Sequence, residues 1–203
     1  MTPVWVDAGF DDVTYMEEIM AEMLDQDLEN AQAAGKTELA IRIQEKMNQI
    51  EQKIILKKIN ELESIRDRIS QAARKMPASA RETRFDEWTL ADVLAHISGW
   101  DEYTVKTIKS WKEGQVPEWG GDVDEFNQKS VSSRKSMSWE ELVVELESTG
   151  KALIESYRNL ALEDWERPIW PDQPEFTPRR FLEDDLAHYR DEHLSQIENC
   201  IVK

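Results

Sequence analysis

Cysteine is nearly missing from this chain: Cys200 stands alone among 203 residues. An intramolecular disulfide and a multi-cysteine metal cluster are thereby excluded. Glycine and proline are scarce as well, at seven each, and both collect where helices would end. That pattern predicts an all-α fold. Positive charge is also short, with 25 Lys and Arg against 42 Asp and Glu, a formal charge of -17. No Lys/Arg-rich stripe interrupts that field, so phosphate backbones and anionic lipid are repelled. Neither nucleic acid nor a membrane surface is expected as a partner. No apolar run approaches membrane-spanning length, and residues 1–12 have neither a basic stretch nor an apolar one; a cytoplasmic location is expected. Phosphate-cradling glycine loops, a nucleophile elbow and a dinucleotide fingerprint are missing too, which leaves ATP-driven and nicotinamide chemistry without support.

What the chain has in quantity is helical periodicity. Met16, Ile19, Met20, Met23, Leu24 and Leu28 recur at helical spacing over residues 12–32. Residues 37–76 contain neither glycine nor proline, which predicts one long helix or two with a slight break. The apolar series there changes phase. Ile43, Met47, Ile50 and Ile54 are followed, one position late, by Ile55, Ile59, Leu62, Arg66, Ile69 and Ala73. One residue is about 100° of helix rotation, so the two halves face different partners. The domain boundary is therefore placed between residues 53 and 54. Residues 1–53 form a helical hairpin too small to bury its own stripe. Pairing with a second copy makes a homodimer the expected state, and folding back on its own bundle is the alternative. In residues 54–203, Thr89 with Asp92 and Ser138 with Glu141 match capping boxes that open two helices. Thr177 followed by Pro178 opens the last helix. A polar stretch, residues 113–135, crosses between the second and third bundle helices.

Histidine is rare, and its placement is informative. The three copies lie in Asp92-Val-Leu-Ala-His96-Ile-Ser-Gly-Trp100 and in His188-Tyr-Arg-Asp-Glu-His193-Leu-Ser-Gln196. Helices that bring them together would make a metal site or supply a general base inside the bundle. The blander reading makes His96 a half-buried ring whose tautomer is fixed by Asp92 one turn earlier, and puts His188 at the surface beside Asp184 or Glu192. His193, followed by Gln196, favours a site. Seven of the eight tryptophans follow residue 87. Trp111 and Trp165 are expected to plug the bundle ends, while Trp119 and Trp170 are expected to wall or cover a pocket for a small-molecule ligand.

Trp88-Thr-Leu-Ala-Asp-Val-Leu-Ala-His96-Ile-Ser-Gly-Trp100, Asp124-Glu-Phe-Asn-Gln128 before Ser138-Trp-Glu-Glu-Leu142, and His188 to Ile197 together resemble the DinB-like (DinB/YfiT) superfamily. Within it the likeness is to the ClbS/DfsB-like group, over roughly residues 54–203. The resemblance implies a four-helix bundle with a long crossover connection, often dimeric. It also implies one divalent metal (Zn, Ni, Mn or Fe) held by three histidines, one on the second helix and two on the fourth at i and i+4. His96 and His193 stand at matching positions. Four residues before His193, however, this chain has Tyr189, and His188 is five away. On a regular α-helix His188 and His193 project about 140° apart, whereas an i, i+4 pair is about 40° apart. Three arrangements follow. A π-bulge realigns His188 with His193; or Tyr189 or a carboxylate such as Glu192 completes the set while His188 faces elsewhere; or the pocket is metal-free. The implied chemistry is hydrolysis or thiol transfer on a small, partly apolar electrophile in detoxification or stress resistance, with His96 and His193 as catalytic residues. The contrasting reading is a non-catalytic dimeric binding or assembly module with a degenerate metal site.

Overall fold

Helix boundaries fall where the sequence supplies caps. The computed structural model describes residues 12–118 and 121–201, with side chains from Ile19 onward except Glu22. Helix α1 (Asp12–Ala33) and helix α2 (Thr37–Lys75) are joined by a tight turn. Gly35 has φ +68°, and Lys36 N–H donates to the Ala31 carbonyl while Gly35 N–H donates to that of Gln32. This is the helix stop that wants glycine in the left-handed region. The chain divides into two compact units between Lys57 and Lys58. In the first, Met20, Met23, Leu39, Ile41 and Leu56 are exposed. Helix α2 is unbroken through the phase change, and Ile54 and Ile55 are both buried.

The second unit starts with residues 58–75 of α2. A two-stranded hairpin follows, β1 (Arg84–Phe85) with β2 (Trp88–Thr89), in register Phe85 to Trp88. Its turn holds Asp86 at φ 53°, a region that aspartate tolerates. Helix α3 (Leu90–Lys112) opens on the Thr89–Asp92 capping box and α5 (Trp139–Arg158) on the Ser138–Glu141 box. Between them α4 (Val123–Ser133) is capped by Asp122. Helix α6 (Pro178–Ala187) opens on Thr177 with proline in its first turn, continues as a π-helical segment, His188–Leu194, and ends as α7 (Ser195–Ile201). Among the described residues no helix is long and apolar enough to cross a membrane.

Side-chain pairs fix the helix directions. Lys58, Glu61 and Arg68 pair in order with Glu183, Arg190 and Glu198, so α2 runs parallel to the α6–α7 stretch. Glu63 pairs with Arg158 and Arg74 with Glu147, which makes α5 antiparallel to α2. Asp101 meets Tyr189 while His96 meets His193, so α3 is antiparallel to the last helix. Helices α3 and α5 therefore run the same way, and the connection carrying α4 must cross the length of the bundle. This is an all-α, up-down-down-up four-helix fold. Leu90, Leu94 and Ile97 bury one face of α3 completely, against a core that includes Leu62, Ile69, Leu146, Leu153, Leu182 and Ile197. Each such side chain contributes about 1.5–3 kcal/mol on burial. Helix α4 lies tight on α3: a Cβ on Gly99 would stand 1.6 Å from Ser130 Oγ.

Candidate metal centre

The last helix decides the site. In an α-helix His188 and His193 diverge, but the π-helical segment runs from one to the other, and five residues complete slightly more than one π turn. Both rings therefore point the same way, toward His96 on α3. His188 Nε2 lies 3.0 Å from His96 Nε2 and 2.8 Å from His193 Nε2, and one ligand nitrogen from each ring falls within 4.8 Å of the others. The rings stand at 67–87° to one another. Of the three arrangements left open by the sequence, the structure adopts the bulge. His188 does not sit at the surface beside Asp184; it is largely buried, with Glu192 Oε2 3.9 Å from its Nε2.

Hydrogen bonding does not account for this convergence. A ring nitrogen has one proton or one in-plane lone pair, so His188 Nε2 cannot serve two neighbours at 2.8 and 3.0 Å equally well. Three nitrogens about 2.1 Å from one ion stand about 3.0–3.4 Å apart in octahedral or tetrahedral coordination. The two separations from His188 are close to that and the third pair lies within 4.8 Å, so the three histidines lie close enough to hold a metal ion. Protonation agrees. Burial, then the neighbouring His193, pushes His96 down to about 3. Burial, then His193 and His96, pushes His188 down to about 3. His193 is lowered by burial. All three are neutral near pH 7 and present lone pairs. For His193 the tautomer is set as well: Nδ1 donates to Gln196 Oε1 at 3.0 Å, which leaves Nε2 as the acceptor. His96 Nδ1 is buried and makes no close hydrogen bond, while the neighbouring Asn127 side chain pulls the pKa of the ring upward against burial.

Tyr189 occupies the position where an α-helical pattern would put a ligand, and it points away from the centre. Its hydroxyl donates to Asp101 Oδ1 at 2.7 Å, and its side chain is fully buried. Asp101 Oδ2 accepts from Arg66 of α2 at 2.5 Å and from Thr149 of α5 at 2.8 Å. Burial pushes the Asp101 carboxyl above the ordinary range, with Arg66, Tyr189 and Thr149 pulling the other way. One carboxylate thus ties four helices together directly beneath the histidines. By holding Tyr189 in the core, it keeps the extra residue that turns His188 into the site.

The centre opens into a cavity of about 810 Å³, within the range of small-molecule sites. Trp88, Trp100, Tyr103, Phe126, Phe176 and Phe181 supply its aromatic wall. Asn127 accepts a hydrogen bond from Trp100 Nε1 at 2.9 Å. Asp185 also lines the cavity; burial pushes it up to about 8, opposed by the Tyr157 hydroxyl that donates to it.

Two expected roles are corrected. Asp92 does not orient His96: its carboxylate is taken by the Thr89 cap and by Lys135 Nζ at 2.9 Å. Trp170 is buried, donates to the Pro117 carbonyl and packs edge-on against Phe176 and Phe181, so it backs the wall without facing the cavity. Trp111 and Trp165 are buried, the first packed with Ile169 and Trp170 and the second stacked on Tyr157. Trp119 lies outside the described residues. The hairpin residues Phe85 to Trp88, the α4 pair Phe126 and Asn127, and the Arg66–Asp101 pair were not assigned roles from sequence. Arg66 within an apolar stripe was the one legible signal for a buried partner.

An up-down-down-up bundle with three histidines converging from its second and fourth helices defines a class of helical proteins with a metal-site geometry. The family model of the DinB superfamily matches residues 61–197, and the chain belongs to that superfamily. No curated protein matches the chain, nor does any solved structure.

Proposed function

We propose that this protein is a metal-dependent enzyme that hydrolyses, or transfers a thiol to, a small and partly apolar electrophile. The observation that carries the reading is the convergence of three neutral imidazoles on one point at the floor of an aromatic cavity. A divalent ion (Zn, Ni, Mn or Fe) held by His96, His188 and His193 would polarise the substrate or lower the pKa of a bound nucleophile. Gln196 holds the His193 tautomer. Glu192, exposed at the cavity and 3.9 Å from His188, would take a proton from a nucleophile at the centre. In the hydrolytic case water adds to the electrophilic carbon, its proton passes to that carboxylate, and the leaving group departs with the bonding pair. The ClbS/DfsB-like resemblance favours protection against a reactive compound. The test is turnover of a panel of aryl esters, epoxides and alkyl halides with and without added metal. Metal-dependent turnover that is lost in His193→Ala supports the reading; turnover indifferent to both metal and that substitution overturns it.

A second reading, self-assembly, is favoured by the exposed Met20, Met23, Leu39, Ile41 and Leu56 of the first unit. We infer a homodimer formed through that unit, because an apolar surface of this kind marks an interaction site. Sedimentation of the full chain should give a dimer that Met23→Glu with Ile41→Glu converts to a monomer. A wild-type monomer contradicts it.

A further inference from the structure

The cavity lining has a charge bias that a histidine centre does not require. Among the described residues no Lys or Arg lines it, whereas the exposed Asp86, Glu87, Asp184 and Glu192 do. Asp184 is paired with Arg180 at 2.9 Å. The Asp86, Glu87 and Glu192 carboxylates have no Lys or Arg partner among the described residues; Arg84 donates to the Glu87 backbone carbonyl at 2.9 Å and leaves that carboxylate open. The walls point in the same direction. Trp100 lies 4.5 Å from Phe126 and 5.6 Å from Tyr103 between ring centroids, tilted by 49° and 85°. Trp88 stands 4.9 Å from His96. These four rings are only partly buried, so they offer surface to whatever enters. The face of an aromatic ring is the negative pole of its quadrupole, and a cation over such a face gains most where water is partly excluded. Bringing an anion into this space would set it against unpaired carboxylates, with no Lys or Arg among the described lining residues to meet it. A divalent ion on three neutral imidazoles does not reverse the balance, since the three unpaired carboxylates outweigh its charge.

We propose that the cavity binds a cationic amphipathic molecule, an amine or quaternary ammonium carried on an aromatic or branched alkyl body, and disfavours anionic ligands. The ammonium group rests against Asp86, Glu87 and Glu192, and the body lies on Trp88, Trp100 and Phe126. The inference rests on the reading of this cavity as the substrate chamber, and not on which metal it holds. It also ranks the two reactions: uncharged water enters such a rim more readily than a low-molecular-mass thiol that bears carboxylates.

The test uses chelator-treated full-length protein and three probes of one shape: naphthylmethyl trimethylammonium, naphthylmethanol and naphthylacetate. Affinity is read by calorimetry at low and high salt. The cation should bind tightest and the carboxylate weakest, with about a tenfold or larger gap between them, and the gap should narrow in salt. Glu87→Gln with Glu192→Gln should weaken the cation alone, by about threefold. Equal or tighter binding of the carboxylate overturns the charge assignment, as does a variant that weakens all three probes alike. Failure of every probe to bind overturns the substrate-chamber reading and this inference with it, while a separate metal titration of the same stripped protein still reports on the histidine centre.

Discussion

Tyr189→Phe removes one oxygen, and its effect should reach the three-histidine centre without touching it. In the native chain that hydroxyl donates to Asp101 Oδ1 at 2.7 Å with both side chains fully buried. A hydrogen bond to a buried charged acceptor is worth about 1.5–3 kcal/mol. Losing about 2 kcal/mol should lower global stability by that amount, visible as a reduced urea midpoint. The same bond holds the π-helical segment, and a regular α-helix is the competing state in which His188 turns away. If the full 2 kcal/mol favoured the π state, the binding-competent fraction falls by up to about 30-fold and apparent metal affinity falls with it. Calorimetric titration of the stripped protein with Zn or Ni reads that loss. A rescue separates positioning from plain destabilisation: Tyr189→His combined with His188→Ala puts a histidine four residues before His193, where an α-helical turn aims it at the site. Recovery of metal binding in the double variant is expected. Tyr189→Phe that loses stability but keeps wild-type metal affinity would refute the reasoning.

Acid should act on the metal-free protein from the histidine range downward. His96 and His188 are held at about 3 in the folded state against an ordinary 6.5, so below pH 6.5 the unfolded chain binds more protons. Their contribution is complete above that pH and is lost as pH falls toward 3, with a slope of about 2.7 kcal/mol per pH unit for the two groups mid-window; urea melts that stay flat from about pH 7 to about pH 5 would contradict buried neutral rings. Gln196→Leu frees the His193 tautomer and should cost about tenfold in metal affinity, read by competition with a chromogenic chelator. Gly99→Ala drives a Cβ to 1.6 Å from Ser130 Oγ, so thermal melts should show a loss of about 1–3 kcal/mol that Ser130→Gly largely recovers.

The bundle helices were legible because local chemistry marks their starts. The Thr89–Asp92 and Ser138–Glu141 boxes and the Thr177–Pro178 start all form as the sequence suggests. Two cavity-lining elements were not legible. Helix α4 is short and polar, and what holds it is a tertiary approach of Ser130 to Gly99. The hairpin at Asp86 has two residues per strand and no glycine in its turn. For the histidines, spacing defined the problem but not the answer, since a five-residue offset permits more than one arrangement. The choice is made by Asp101, Arg66 and Tyr189, whose sequence separations hide their meeting at one carboxylate. Asp92 shows the opposite case: the capping box read from sequence takes its Oδ2, and Lys135 takes Oδ1, so neither oxygen is left for His96.

Metal content reads the histidine centre directly. Untagged protein purified without chelator, alongside His96→Ala, His188→Ala and His193→Ala, should be compared by elemental analysis, with far-UV dichroism to confirm that each variant is folded. The account predicts one equivalent of a transition metal in the wild type and its loss in all three variants, His188→Ala included, because the π-helical segment places that ring at the centre. A folded wild type that carries no metal and takes up none when it is added, or a His188→Ala variant that retains a full equivalent, would contradict it.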